Sequence, residues 1–128
     1  MATKAKQDKI WFFDVTDPQL HPNGFTIYRV TCKVFMINSP ESLTETVVWK
    51  RYNDFKQLFK AMFSLHRALH RRDKFPEFAK PKVFGIFEES VIEERRQSAL
   101  RLLRFISEQP HLSNSNVLRK FLEVVLYF

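Results

Sequence analysis

Glycine is nearly absent from this chain, with only Gly24 and Gly85 in 128 residues. Walker A loops and dinucleotide-binding turns need several glycines at fixed spacing, so nucleotide chemistry built on either motif is excluded. Cysteine is scarcer still. Cys32 stands alone, which rules out an internal disulfide and any cysteine-built zinc cluster and makes a cytoplasmic setting the expectation. No apolar run approaches the ~20 residues that cross a bilayer. The start, Met1-Ala2-Thr3-Lys4-Ala5-Lys6, lacks the apolar core of a signal peptide. Any contact with a membrane is therefore expected to be peripheral.

Catalytic and metal signals are equally thin. His66 and His70 have the i, i+4 spacing of zinc ligands, but a His-Glu-x-x-His sequence and a third ligand are missing, so both read as solvent-facing helix residues. Ser90 and Ser107 lack a nucleophile context, and no carboxylate pair has acid/base spacing. The expectation is a protein without catalysis, cofactor or metal.

What is abundant is phenylalanine, 14 residues within a 45% hydrophobic composition. This is ample for the core of one globular domain. The formal net charge of +7 favours anionic partners. A nucleic-acid binder would interleave exposed aromatics with Lys and Arg. Here most Phe fall at core positions of strands or helices, so nucleic acid is not expected as a partner.

Along the chain, residues 1–9 read as a flexible lead and 10–128 as a single domain. Trp11, Phe12, Phe13 and Val15 favour a first strand, ended by Asp17-Pro18 and His21-Pro22-Asn23-Gly24. From Phe25 to Met36 a long strand places Tyr28, Val30, Cys32, Val34 and Met36 on one face, so Cys32 is a buried structural thiol. After a turn at Asn38-Ser39-Pro40-Glu41, a third strand runs from Thr44 to Lys50. The first helix carries Phe55, Leu58, Phe59, Met62, Leu65 and Leu69 on its inner stripe, with Asn53 or Asp54 as cap. Its end is basic, with Arg67, His70, Arg71 and Arg72. Residues 75–87 form an irregular connector. A second helix spans about 88–109, with Ile92, Ala99, Leu103 and Ile106 inward, and Pro110 stops it. Ser113-Asn114-Ser115 caps a last helix through Val117, Leu118, Phe121, Leu122 and Val125. The fold class is α+β: a three-stranded antiparallel meander packed against three or four α-helices.

Three blocks carry the functional signal. Arg51-Tyr52-Asn53-Asp54-Phe55 places an arginine fork and a flat aromatic at a strand-to-helix junction, a pairing suited to a phosphorylated ring. Phe75-Pro76-Glu77-Phe78-Ala79-Lys80 is a proline-containing loop, and Val91-Ile92-Glu93-Glu94-Arg95-Arg96 opens a helix. In that helix Arg95 and Arg96 sit at the positive end of the dipole, against local preference. In this order the blocks resemble the phox homology (PX) domains of sorting nexins, phosphoinositide-binding modules, from about Ile10 onward. They are most similar to a sorting nexin type with comparable His-Pro-x-Gly, Val-Val-Trp-Lys-Arg-Tyr and Val-Ile-Glu-Glu-Arg-Arg stretches.

The resemblance implies that Arg51 grips the 3-phosphate of phosphatidylinositol 3-phosphate, that Tyr52 lies against the inositol ring, and that Arg95 binds the 4- and 5-hydroxyls. Phe55 and Arg96 read as structural, the first in the core and the second in a salt bridge. Lys80 or Lys82 meets the 1-phosphate, Lys80 favoured because Phe-Pro-x-Phe-Ala-Lys aligns without a gap. The loop departs from the family in having Phe78 where a second proline is common. Val83, Phe84, Ile86 and Phe87 surround Gly85 as an apolar tip that resembles the membrane-inserting loop. Phe84 and Ile86 are its insertion candidates, with Val83 or Phe87 turned back to the core. Arg71, Arg72 and Lys74 are candidates for a basic skirt facing anionic lipid. The implied role is recruitment of a larger protein to early endosomes for sorting, peripherally from the cytoplasm. The alternative is a protein-interaction module with little lipid binding.

Overall fold

The computed structural model describes residues 9–69 and 74–123. Three strands, β1 (Lys9–Leu20), β2 (Thr26–Met36) and β3 (Ser39–Arg51), form an antiparallel sheet in the order β1-β2-β3. They are followed by α1 (Tyr52–Leu69), α2 (Glu89–Ser107), α3 (Pro110–Ser113) and α4 (Asn116–Phe121). Strand alternation turns one side chain in two toward the helices. Val30 lies in register between Val15 and Val48, and all three are buried. Phe13, Tyr28 and Cys32 extend this face. Phe55, Leu58 and Met62 of α1, Ala99, Leu102, Leu103 and Ile106 of α2, and Leu112, Leu118 and Phe121 beyond close the core over it.

Two strands are longer than the turn residues suggested. Instead of stopping at Asp17-Pro18, β1 passes through them with a register shift between Thr16 and Gln19. Asp17 takes a positive φ of 54° there, a conformation Asp tolerates better than most residues. Pro18 has no N–H to lose in such a bulge. Likewise β3 begins at Ser39, not Thr44, and Pro40 is accommodated because β3 is an edge strand.

The start of α1 also differs from expectation. Neither Asn53 nor Asp54 precedes the helix. It opens at Tyr52, and Asp54 reaches back from the first turn to accept the Arg51 backbone N–H at 2.9 Å, the reciprocal half of a capping box. Four residues on from Met62, His66 is 1% exposed instead of facing solvent. Its Nδ1 lies 3.0 Å from Nε2 of His111, and its ring packs on Phe75 and Phe105. Leu69, assigned to the inner stripe, is exposed. His70, Arg71, Arg72 and Val125 lie outside the described residues.

Residues 74–88 contain no helix or strand. They are tied down by side chains: the Ala79 N–H donates to Ser98 Oγ at 2.8 Å. Pro110 ends the preceding helix and also occupies the first position of α3, where a missing N–H costs nothing. Ser115 caps α4 by accepting the Leu118 N–H.

A single arginine fastens α2 to β1. Arg96 donates from Nη1 to the Val15 carbonyl at 2.8 Å and from Nε and Nη2 to Glu93 at 2.9 and 2.7 Å. Hydrogen bonds from Arg96 and then Gln97 hold the Glu93 carboxyl down from 4.5 to about 2. A carboxylate depressed in the fold stabilises it fully above its ordinary range, and that contribution fades as pH falls through the folded value. The melting-temperature gap between wild type and Glu93→Gln is therefore expected to be constant down to about pH 4.5 and to close toward pH 2. Thermal melts across that range check it; a gap already closed at pH 4.5 contradicts it.

Candidate functional site

The chain returns three times to one small region: at the β1–β2 turn, at the β3–α1 junction, and at the entry to α2. Between them lies a cavity of about 150 Å³ whose walls include Phe25, Tyr28, Arg51, Tyr52, Ile86 and Arg95. Arg51, Tyr52 and Asn53 bring the start of α1 to its wall, so the partial positive charge of that helix end adds to the two guanidinium groups.

Each arginine rests on an aromatic ring. The Arg51 guanidinium carbon is 4.6 Å from the centre of Phe25, and that of Arg95 is 3.9 Å from the centre of Tyr52. Neither guanidinium forms an ion pair with a carboxylate among the described residues. Arg95 Nε is buried with no hydrogen-bond partner, an arrangement that costs free energy unless an acceptor arrives. The neighbouring Arg96 is spent on Glu93 and Val15, as its salt-bridge reading required.

Tyr52 is the keystone. Its hydroxyl donates to the Ala79 carbonyl at 2.7 Å, and its ring stacks on Phe78 with centroids 5.7 Å apart. Burial pushes its hydroxyl up despite the opposing field of Arg95, so it stays a donor at neutral pH. Phe78, where the family commonly has proline, also stacks on Phe59 at 5.3 Å. In this chain an aromatic contact braces the proline loop. Tyr28, raised by burial to about 12, donates from the pocket wall to the Ile92 carbonyl at 3.1 Å.

The structure brings together Arg51, Tyr52, Arg95 and Ile86, but neither lysine joins them. Lys80 and Lys82 are exposed and border a separate depression with Phe84, Glu94 and Arg101. At the loop tip, Val83 and Phe84 are 85% and 87% exposed, Phe87 is 54% exposed, and Ile86 is half-buried against the pocket. Gly85, at φ +70°, turns the chain between the two pairs. Val83 is thus exposed together with Phe84, while Ile86 and Phe87 both border the pocket.

Phe25 was missed in the sequence, where it reads only as the start of a strand. Its signal was the preceding Pro22-Asn23-Gly24, which bends the chain back toward the sheet. A larger groove of about 870 Å³ lies between Pro18–Leu20 and the first turn of α2. Its described lining includes Glu89 and Glu93 and no cationic residue, whereas the smaller pocket is lined by Arg51 and Arg95. None of the described helices is long and apolar enough to cross a membrane.

Comparison with known proteins gives a concordant picture. The family model for the PX domain matches residues 38–125. Human ribosomal protein S6 kinase delta-1 is 50% identical over 111 residues, 86% of this chain but 10% of the kinase, so the match brings only a PX-sized segment and no catalysis with it. Human sorting nexin-15, of the type whose stretches the sequence resembles, is 47% identical over 122 residues, 94% of this chain and 36% of that protein. The chain thus spans about a tenth to a third of these relatives. A designed CISK-PX domain superposes with a TM-score of 0.70 at 22% identity, covering 88% of this chain and 98% of that one, which supports the fold alone. With a family match over more than half its length and relatives near half identical, the chain belongs to the PX domain family, phosphoinositide-binding modules of membrane trafficking.

Proposed function

We propose that this domain captures phosphatidylinositol 3-phosphate and thereby holds a longer protein on early endosomes for cargo sorting, as a peripheral membrane component on the cytoplasmic side. The observation that carries the reading is the pair of arginines without carboxylate partners among the described residues, each laid on an aromatic ring, converging on one pocket beside an exposed apolar tip. In this reading Arg51 takes the 3-phosphate through a bidentate fork. Arg95, lining the same pocket, takes the 4- and 5-hydroxyls through its guanidinium. Tyr52 carries Arg95 and flanks the inositol ring.

Lys80 or Lys82, exposed on the neighbouring depression, serves the 1-phosphate by moving toward the pocket when lipid binds. Val83 and Phe84 enter the bilayer, and Ile86 supports the pocket wall. The domain itself performs no catalysis and needs neither metal nor cofactor. A fluorescent fusion of the domain is expected to concentrate on early endosomes and to disperse when phosphatidylinositol 3-kinase activity is inhibited. Diffuse fluorescence before and after inhibition contradicts the reading and directs attention to a protein partner.

A further inference from the structure

The Arg51 guanidinium lies on the Phe25 ring, and that ring is itself supported from below. His21 stacks on Phe25 with centroids 4.6 Å apart and ring planes 6° apart, and His21 is 7% exposed. Three hydrogen bonds lock the turn around it. The His21 N–H donates to the Phe25 carbonyl at 2.7 Å, the Gly24 N–H to the His21 carbonyl at 2.8 Å, and the Asn23 N–H to His21 Nδ1 at 3.0 Å. Gly24 holds a φ of +93°, a conformation that glycine alone adopts cheaply.

Imidazole, phenyl and guanidinium thus form a three-layer stack, His21–Phe25–Arg51, built on a rigid five-residue turn. A free arginine side chain samples many rotamers and is drawn toward carboxylates such as Asp54, three residues away. A face of fixed aromatic carbon holds it in place while leaving its N–H donors available. We infer that Phe25 is a positioning residue for phosphate capture: it borders the pocket and pre-orients the Arg51 fork, and its effect on affinity acts through Arg51. This inference rests on the phosphoinositide reading of the pocket and adds a residue to it.

Soluble inositol 1,3-bisphosphate is the probe that separates positioning from membrane insertion, because it offers a headgroup without a bilayer. Calorimetric titration of wild type, Phe25→Leu and Phe25→Trp is expected to show about a tenfold loss in Phe25→Leu and recovery to within about twofold in Phe25→Trp, whose face is the better cation platform. The Arg51 Nε–H proton resonance, shifted upfield by the ring beneath it in wild type, is expected to move downfield in Phe25→Leu and stay upfield in Phe25→Trp. This spectroscopic comparison holds whatever the melting temperature of Phe25→Leu. Equal headgroup affinity in wild type and Phe25→Leu overturns the inference, as does a Phe25→Leu defect seen on liposomes alone, which makes Phe25 a membrane contact. Wild type that binds no inositol 1,3-bisphosphate overturns the functional reading itself, and this inference with it.

Discussion

Replacing Arg51 with alanine is expected to cost about 2–5 kcal/mol of affinity for 3-phosphorylated headgroups, the usual effect of truncating one member of a desolvated charge pair. On liposomes the domain then falls to the level set by its net charge alone. The fold is expected to survive. Arg51 is half-buried at the end of an edge strand, and its guanidinium rests on Phe25, a contact worth about 0.5–1 kcal/mol. The melting temperature is therefore expected to drop by about 4 °C or less. Arg51→Lys sharpens the test: it keeps the charge but loses the planar fork, and is expected to recover only part of the binding. Sedimentation with liposomes, paired with thermal melts of each variant, checks both halves. Full binding by Arg51→Ala contradicts the assignment of the phosphate to Arg51.

The second large effect belongs to the loop tip. Val83 and Phe84 are both more than four-fifths exposed, so their replacement costs the fold little. Moving each side chain out of water is worth roughly 1.5–3 kcal/mol when burial is complete. The double variant Val83→Asp/Phe84→Asp loses this and adds two charges that an anionic leaflet repels. Membrane affinity is expected to fall by about 100-fold or more, while affinity for soluble inositol 1,3-bisphosphate stays within about twofold of wild type. Unchanged liposome binding contradicts insertion, and parallel losses on liposomes and soluble headgroup contradict the separation of tip from pocket. Ile86, drawn into the pocket wall, is expected to behave oppositely in this comparison, with its truncation felt by the headgroup.

Much of this was legible in the sequence, and the gaps have physical reasons. Helical spacing located α1 and α2 because Phe55, Leu58 and Met62, or Ala99, Leu103 and Ile106, must share a face to be buried together. Strand alternation located the buried face of β2 for the same reason. Asp17-Pro18 misled because a proline that ends a strand and one that sits in a bulge look alike until the partner strand is seen. His66 misled because its neighbours arrive from distant segments, Phe75 from the connector and His111 from α3. The connector tip has no periodicity at all, so the exposure of Val83 and Phe84 and the pocket contact of Ile86 and Phe87 became visible only in the fold.

Within the site, the sequence separated Arg95 from Arg96 only through the family pattern. Adjacent helix residues point about 100° apart, and here one direction leads to Tyr52 and the other to β1. Phe25 escaped notice because a strand-start aromatic and a cation platform have the same letter. The fold of the turn around His21 is what makes the difference.

Sedimentation of the wild-type domain with liposomes carrying each phosphoinositide in turn, at physiological salt so that nonspecific attraction is screened, tests the central claim most directly. Selective capture on phosphatidylinositol 3-phosphate is the expected result. Equal capture on every anionic liposome contradicts it by leaving the +7 net charge as the whole cause of binding.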